Sequence, residues 1–368
     1  MKFQKIALPG IALMLTASLA ACGGSADSGG GVLSASAAVD GSNGLVIDGE
    51  TIADKETYET AKTQTLSLYS SYQEAAEQAY LEAFTADTGI KVELMRLVPA
   101  RLSERVLSEQ GAGKLTADVI RTSDYDIVDN FSKDGVWKPY VVPGTEDLDE
   151  VVIQDGNFSR VLNVVQTFGY NTQLVSPEDA PTSWADLADE KWKGKLGISQ
   201  GLSGGSVAAL NRFVATELEE GYWDKVAALE PTVYDGAGEK LTALARGEVA
   251  IATTGSASVN VAVTEDKAPM EYVVPEEGLV TFDYYLGTTA SSKNAEAAKV
   301  FMNYNFSKRG QSLFSELGDY GVRADVPTPT ALGRALPALD SGKVWRMPLS
   351  DAPKQSADAA VWQKAFGR

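Results

Sequence analysis

From residue 54 onward the chain switches between two hydrophobic periods. Residues 54–62 read as a short helix capped by Asp54. Thr65-Leu66-Ser67-Leu68-Tyr69 then alternates polar and apolar positions, the two-residue period of a half-buried strand. A helical pattern starts near Gln73, where Ala76, Ala79, Tyr80, Ala83 and Phe84 recur at spacings of three and four, and Gly89 ends it. Residues 91–97 alternate again. Residues 101–110 are helical, with Leu102, Val106 and Leu107 on one side, and Ala117-Asp118-Val119-Ile120 is a third strand. Strands alternating with helices predict an α/β unit with a mostly parallel sheet.

The second half repeats the theme. Strands are predicted at 195–199, 232–234, 249–253 and 270–274, and helices at 207–218, 239–246, 294–306 and 310–317. A Gly/Ser loop occupies residues 201–206. These elements make a second α/β unit. The chain is expected to cross between the units near 164–170 and again near 272–282.

The first 44 residues follow neither period. Lys2 and Lys5 precede an apolar run over 6–17, and small residues follow at Leu19-Ala20-Ala21-Cys22. That order is a secretory signal, and the run falls short of the roughly 20 residues that span a bilayer. Leu-Ala-Ala-Cys resembles the lipobox of bacterial lipoproteins. The resemblance implies removal of residues 1–21 and lipid on the Cys22 thiol. Cys22 is the one cysteine in the chain, so no intrachain disulfide or cysteine cluster can form. Residues 22–44 are mostly Gly, Ser, Ala and Asp, the composition of a flexible tether. The remaining body of roughly 320 residues suggests two domains of roughly 100–200 residues each.

Charge and composition then narrow the function. The chain carries 32 Lys+Arg against 50 Asp+Glu, a net charge of −18. An acidic body disfavours nucleic acid and anionic lipid as partners. It says little about a small ligand, because a pocket can oppose the mean sign. There is no histidine. That excludes Ser-His-Asp and Cys-His nucleophilic sites and histidine-based zinc sites. No GxxxxGK[ST] or GxGxxG loop occurs, and no cofactor is expected.

Several segments in order resemble the extracellular solute-binding proteins of ABC importers, in the ferric-iron-type branch of the type 2 periplasmic-binding fold. They include residues 84–92 (FTADTGIKV), 135–140 (GVWKPY), 181–197 (PTSWADLADEKWKGKLG), Ser203-Gly204-Gly205-Ser206, 247–251 (GEVAI) and 320–326 (YGVRADV). The resemblance implies a two-lobed α/β fold with two hinge-crossing strands: lobe 1 from 45–166 and 276–368, lobe 2 from 167–275. It also implies a ligand clamped between the lobes, delivery to membrane permease subunits, and no catalysis. A monomer is expected.

Ligands in open α/β sheets sit beyond the carboxyl ends of strands. Three such ends carry candidate residues: Ser70, Ser71 and Tyr72; Thr122 and Ser123, after Arg121; and Ser203, Gly204, Gly205 and Ser206. Gly236, Gly238 and Gly255 could complete the far wall. Free N–H groups at helix starts attract anions, which points to a small anionic organic solute. The same serines could equally be helix caps and turn residues. Arg121 could pair with a carboxylate or phosphate, or equally be a surface arginine or half of a lobe–lobe ion pair; Arg323 reads as structural.

Tyr284 and Tyr285 raise a ferric-iron alternative, because ferric binders of this family use adjacent tyrosines. In those proteins the pair follows the GEVAI-type segment, where this chain has Thr253-Thr254-Gly255-Ser256. The pair could also line the cleft and stack on an organic ligand. Two further alternatives are a secreted carboxylate-dependent hydrolase, for which no motif is present, and a sensor subunit of the same fold.

Overall fold

The computed structural model describes residue 33 and residues 36–146, 148, 150–201 and 204–367. The signal segment, Cys22, Ser203 and most of the expected tether lie outside the described residues. Val39–Asp40, within the stretch expected as tether, pairs antiparallel with Leu45–Ile47, which pairs in turn with Glu50–Ala53. Asp54 caps the helix Lys55–Ala61 as expected, accepting from the Thr57 N–H at 2.8 Å. No helix among the described residues is long and apolar enough to cross a membrane.

The two α/β units share one twelve-stranded sheet. In lobe 1, Thr65–Ser70 lies between Lys91–Arg96 and Val119–Ser123, all parallel. In lobe 2, Leu196–Ser199 lies between Thr232–Tyr234 and Ile251–Thr254, again parallel. The long strand Phe158–Asn171 joins them. Its first part pairs antiparallel with Leu279–Thr288, which pairs on with Val119–Ser123. Its last part, from Thr167 to Tyr170, pairs antiparallel with Ile251–Thr254. Phe158–Asn171 carries the chain from lobe 1 into lobe 2, and the segment between Tyr272 and Leu279 carries it back. The architecture is the two-lobed type 2 periplasmic-binding fold with hinge strands.

Phe158–Asn171 and Leu279–Thr288 are buried almost throughout, on both faces. Strands buried on both faces show no alternation, so the sequence marks the crossing points but not the strands themselves. The helix Ser256–Thr264 was also not expected. Its Val259, Val261 and Val263 are β-branched residues of low helix propensity, and it is held by packing rather than by local preference.

One lobe boundary is corrected. Residues 276–368 do not all return to lobe 1. The C-terminal helix Gln355–Phe366 packs on the lobe-2 helices Gly205–Glu217 and Tyr222–Ala228. Its Trp362 and Phe366 stack on each other at 4.3 Å, and Phe366 meets Trp223 at 6.1 Å. An apolar face needs a partner, and lobe 2 supplies the aromatic one.

Lobe 1 is organised around a buried ion pair. Arg121 and Glu77 are both fully buried and lie 2.5 Å apart. Arg121 also donates to Asn305, and the rings of Tyr80, Phe314 and Phe301 surround it at 5.0, 5.4 and 5.6 Å. Arg121 is therefore a core residue, not an arm reaching for ligand. Removing one partner of such a pair leaves a buried unpaired charge. Arg121→Ala is expected to lower the unfolding free energy by about 3–5 kcal/mol. Urea denaturation checks this, and Arg121→Met combined with Glu77→Leu should recover most of the loss.

Candidate functional site

Between the lobes lies a cleft of about 420 Å³. Its lobe-1 wall begins where Thr65–Ser70 ends, at Ser71 and Tyr72, and continues through Arg96, Pro99 and Ser123. Its lobe-2 wall is made by Ser199, Ser206, Gly236, Gly238, Lys240 and Thr254. The hinge strands form the floor, with Val165, Gln166, Phe282 and Tyr284.

Five helices begin at this cleft, one of them Pro99–Gly111 of lobe 1. Glu74–Thr88 is capped by its own Gln73 side chain, which accepts from the Ala76 N–H at 2.7 Å. The three lobe-2 helices Gly205–Glu217, Ala237–Arg246 and Ser256–Thr264 begin after Gly204, Gly236 and Gly255. None of the three has a side-chain cap. Their first N–H groups are therefore available to an anion.

The glycines differ in what surrounds them. A Cβ at Gly236 or Gly238 would meet nothing within 4 Å. A Cβ at Gly204 would lie 2.7 Å from Pro99, and one at Gly205 would lie 2.8 Å from the Ser123 Cβ. Those two glycines let the lobe-2 loop seat directly on lobe 1. Gly204 also has φ +110, which side-chain-bearing residues rarely adopt. A Cβ at Gly255 would lie 2.8 Å from the Val165 carbonyl of the hinge strand.

The structure thus brings Ser71, Tyr72, Ser123, Ser206, Gly236, Gly238, Gly255 and Tyr284 to one cleft. Gly204 and Gly205 sit at the lobe–lobe contact beside it. Three expected residues do not reach the cleft surface. Ser70 is fully buried and donates its hydroxyl to Glu77. Thr122 is also buried; its hydroxyl accepts from Ser71 at 3.0 Å, so it stands behind the residue at the surface. Tyr285 points the other way. Adjacent strand residues face opposite sides, and its ring packs on Phe158 at 5.5 Å and Tyr125 at 6.2 Å inside lobe 1. Tyr284 lies against Tyr72 at 5.5 Å and donates to the Ser71 carbonyl at 3.0 Å. Burial pushes both phenols, Tyr284 and Tyr285, upward and away from phenolate.

Two cations were missed. Arg96 ends its strand at the cleft. Its Nε donates to the Tyr72 carbonyl at 3.1 Å, and no carboxylate among the described residues pairs with it. The rule about carboxyl ends of strands, applied to this strand as to its neighbours, would have found it. Lys240 is buried in the first turns of Ala237–Arg246 and donates to Ser199 Oγ at 2.5 Å and Thr253 Oγ1 at 2.8 Å. Burial lowers its pKa to about 7. Nothing local in the sequence marks it as buried. The acidic residues that line the cleft, Glu74, Asp235 and Asp266, are all exposed. Among the described residues no group of three or more His, Cys, Asp or Glu side chains is placed to hold a metal ion.

Asp319 ties the floor together. Its carboxyl accepts from the Tyr72 hydroxyl at 2.6 Å and from the Val165 N–H of the hinge strand at 2.9 Å. Burial raises its pKa to about 7, against the pull of those two bonds. A carboxyl whose folded pKa is raised binds its proton more tightly in the folded state. Its contribution to stability is complete below its ordinary value of 3.8 and is lost as pH rises through about 7. Asp319→Asn removes that loss. The melting temperature of the wild type should fall, relative to the variant, between pH 5 and pH 8.

Comparison with known proteins agrees with this geometry. The family model for bacterial extracellular solute-binding proteins matches residues 115–340, more than half of the chain. A periplasmic protein of Salmonella typhi described as 2-aminoethylphosphonate-binding is 28% identical over 309 residues, covering 78% of this chain and 86% of that protein. Iron uptake protein A1 of Synechocystis is 27% identical over 284 residues, covering 72% and 77%. The fold is shared with the crystal structure of an ABC-transporter substrate-binding protein from Agrobacterium tumefaciens. That likeness has a TM-score of 0.71 at 19% identity, over 84% of this chain and 97% of that one. Such proteins act outside the cytoplasm, hold a small polar solute for the permease subunits of an ABC transporter, and catalyse no reaction. The chain belongs to the family of bacterial extracellular solute-binding proteins.

Proposed function

We propose that the protein is the lipid-anchored receptor of an ABC importer and that its cleft closes on a small anionic organic solute. The observation that carries this reading is Arg96. It is a cation on the cleft wall of a chain with net charge −18, and among the described residues it hydrogen-bonds the carbonyls of Ser71 and Tyr72 and no carboxylate. A guanidinium left without a carboxylate partner is suited to bidentate recognition of a carboxylate or phosphate. The uncapped helix starts at Gly236 and Gly255 add neutral donors of the same sense.

The Salmonella relative's described ligand joins an amine to an oxyanion. This cleft offers both kinds of partner, with cations inside and Glu74, Asp235 and Asp266 at the rim. The ferric reading draws on the Synechocystis relative. Against it, Tyr284 and Tyr285 face opposite sides of their strand and cannot hold one cation together. The lipid anchor rests on Cys22 within Leu-Ala-Ala-Cys and on the lack of any other cysteine.

A thermal-shift screen of the mature protein tests the ligand class, using 2-aminoethylphosphonate, inorganic phosphate, phosphorylated sugars, citrate, polyamines and ferric salts. A ligand at 100 times its Kd should stabilise the fold by about 2.7 kcal/mol. Stabilisation is expected from an oxyanion. Arg96→Met should weaken it about tenfold to a hundredfold, the worth of a charged hydrogen bond of about 1.5–3 kcal/mol. A response to ferric salts alone would overturn the anion assignment. For the anchor, Cys22→Ala should move the protein from the membrane to the soluble fraction on cell fractionation. Retention on the membrane would sink that part of the reading.

A further inference from the structure

Lys240 is placed where a cation is least stable. It lies in the first turns of a ten-residue helix, near the positive end of the helix dipole. It is 2% exposed, so it has lost its hydration. No carboxylate among the described residues pairs with it. Its two partners are the hydroxyls of Ser199 and Thr253, whereas an ammonium has three donors. An apolar side chain of similar length would fill the same space without these costs. Yet the side chain lines the cleft, beside Gly236 and Gly238, where a Cβ would meet only open space. A cation, a free helix start and vacant volume therefore coincide on the lobe-2 wall.

We propose that Lys240 is a specificity-determining residue with which lobe 2 grips the ligand's oxyanion, while Arg96 holds it from lobe 1. The inference rests on the anion reading above and adds a coupling to it. An anion seated at this helix start supplies the missing counter-charge, so binding charges an amine that the empty cleft keeps largely neutral above pH 7. Ligand capture then takes up a proton.

Asp319, behind the cleft floor, also titrates near 7, and the Lys240 variants below separate its proton uptake from that of the amine. The strands packed on the helix are Leu196–Ser199, Thr232–Tyr234, Ile251–Thr254 and Phe158–Asn171. The first and third carry no titratable side chain. The second carries Tyr234, and the fourth carries Tyr170 together with Arg160 at its lobe-1 end. On the helix and the turn before it, Glu239, Arg246 and Asp235 are exposed. Burial alone accounts for the position of Lys240 on the pH scale.

The test is isothermal titration of the mature protein at pH 8 with 2-aminoethylphosphonate, inorganic phosphate and citrate, in buffers of different ionisation enthalpy. The wild type should take up close to one proton on binding. Lys240→Met should lose that uptake and bind at least tenfold more weakly, with an unchanged circular dichroism spectrum. Lys240→Arg, charged in both states, should bind without uptake and serves if the methionine variant does not fold. Binding without proton uptake in the wild type, or uptake that persists in the variants, overturns the role of Lys240 and leaves the anion reading standing. Binding of none of the three anions to the wild type overturns both.

Discussion

The backbone of Phe158–Asn171 has to be hydrogen-bonded along its whole buried length, and the two lobes divide that task. Its lobe-1 half pairs with Leu279–Thr288 and its lobe-2 half with Ile251–Thr254. A buried strand cannot leave its N–H and C=O groups unpaired. Each lobe therefore builds its sheet outward from the same strand, and the cleft necessarily opens at the point where the pairing changes hands. Val164, Val165 and Gln166 lie at that point and form the cleft floor. Asp319 binds the Val165 N–H there and the Tyr72 hydroxyl at the wall, so floor and wall share one buried carboxyl.

The charges divide along similar lines. Most buried or half-buried arginines satisfy carboxylates: Arg121 with Glu77, Arg309 with Asp87 at 2.9 Å, and Arg346 with Asp283 at 3.0 Å. These pairs hold elements together and leave no charge to offer. Arg96 and Lys240 depart from the pattern, and both line the cleft. In a low-dielectric site an unpaired charge is costly, so its presence is informative in a way that a surface ion pair is not. The acidic residues that line the cleft, Glu74, Asp235 and Asp266, stay exposed, where they are solvated.

Glycine at the helix starts serves two ends. At Gly204 and Gly205 it lets lobe 2 touch Pro99 and Ser123 of lobe 1 without side chains between them. At Gly236 and Gly238 it leaves space. The same residue type thus sets both the closeness of the lobes and the room left for a ligand. Which role a given glycine plays depends on what the other lobe places opposite it.

Much was determined locally. The strand Thr65–Ser70, the helix Glu74–Thr88 with its Gly89 stop, and the lobe-2 parallel strands follow from hydrophobic period and turn residues. So does the α/β class, and so does the placing of Ser71, Ser123, Ser206 and Gly236 at strand ends. The tertiary structure decided the rest. Phe158–Asn171 and Leu279–Thr288 are buried on both faces and carry no period to read. Tyr284 and Tyr285 are neighbours in sequence, but only the direction of their strand set one toward the cleft and the other into the core. Arg121, Arg96 and Lys240 are all simply basic residues in the sequence. Their roles were settled by whether folding brought a carboxylate within reach, a property of residues distant in the chain that local sequence does not contain.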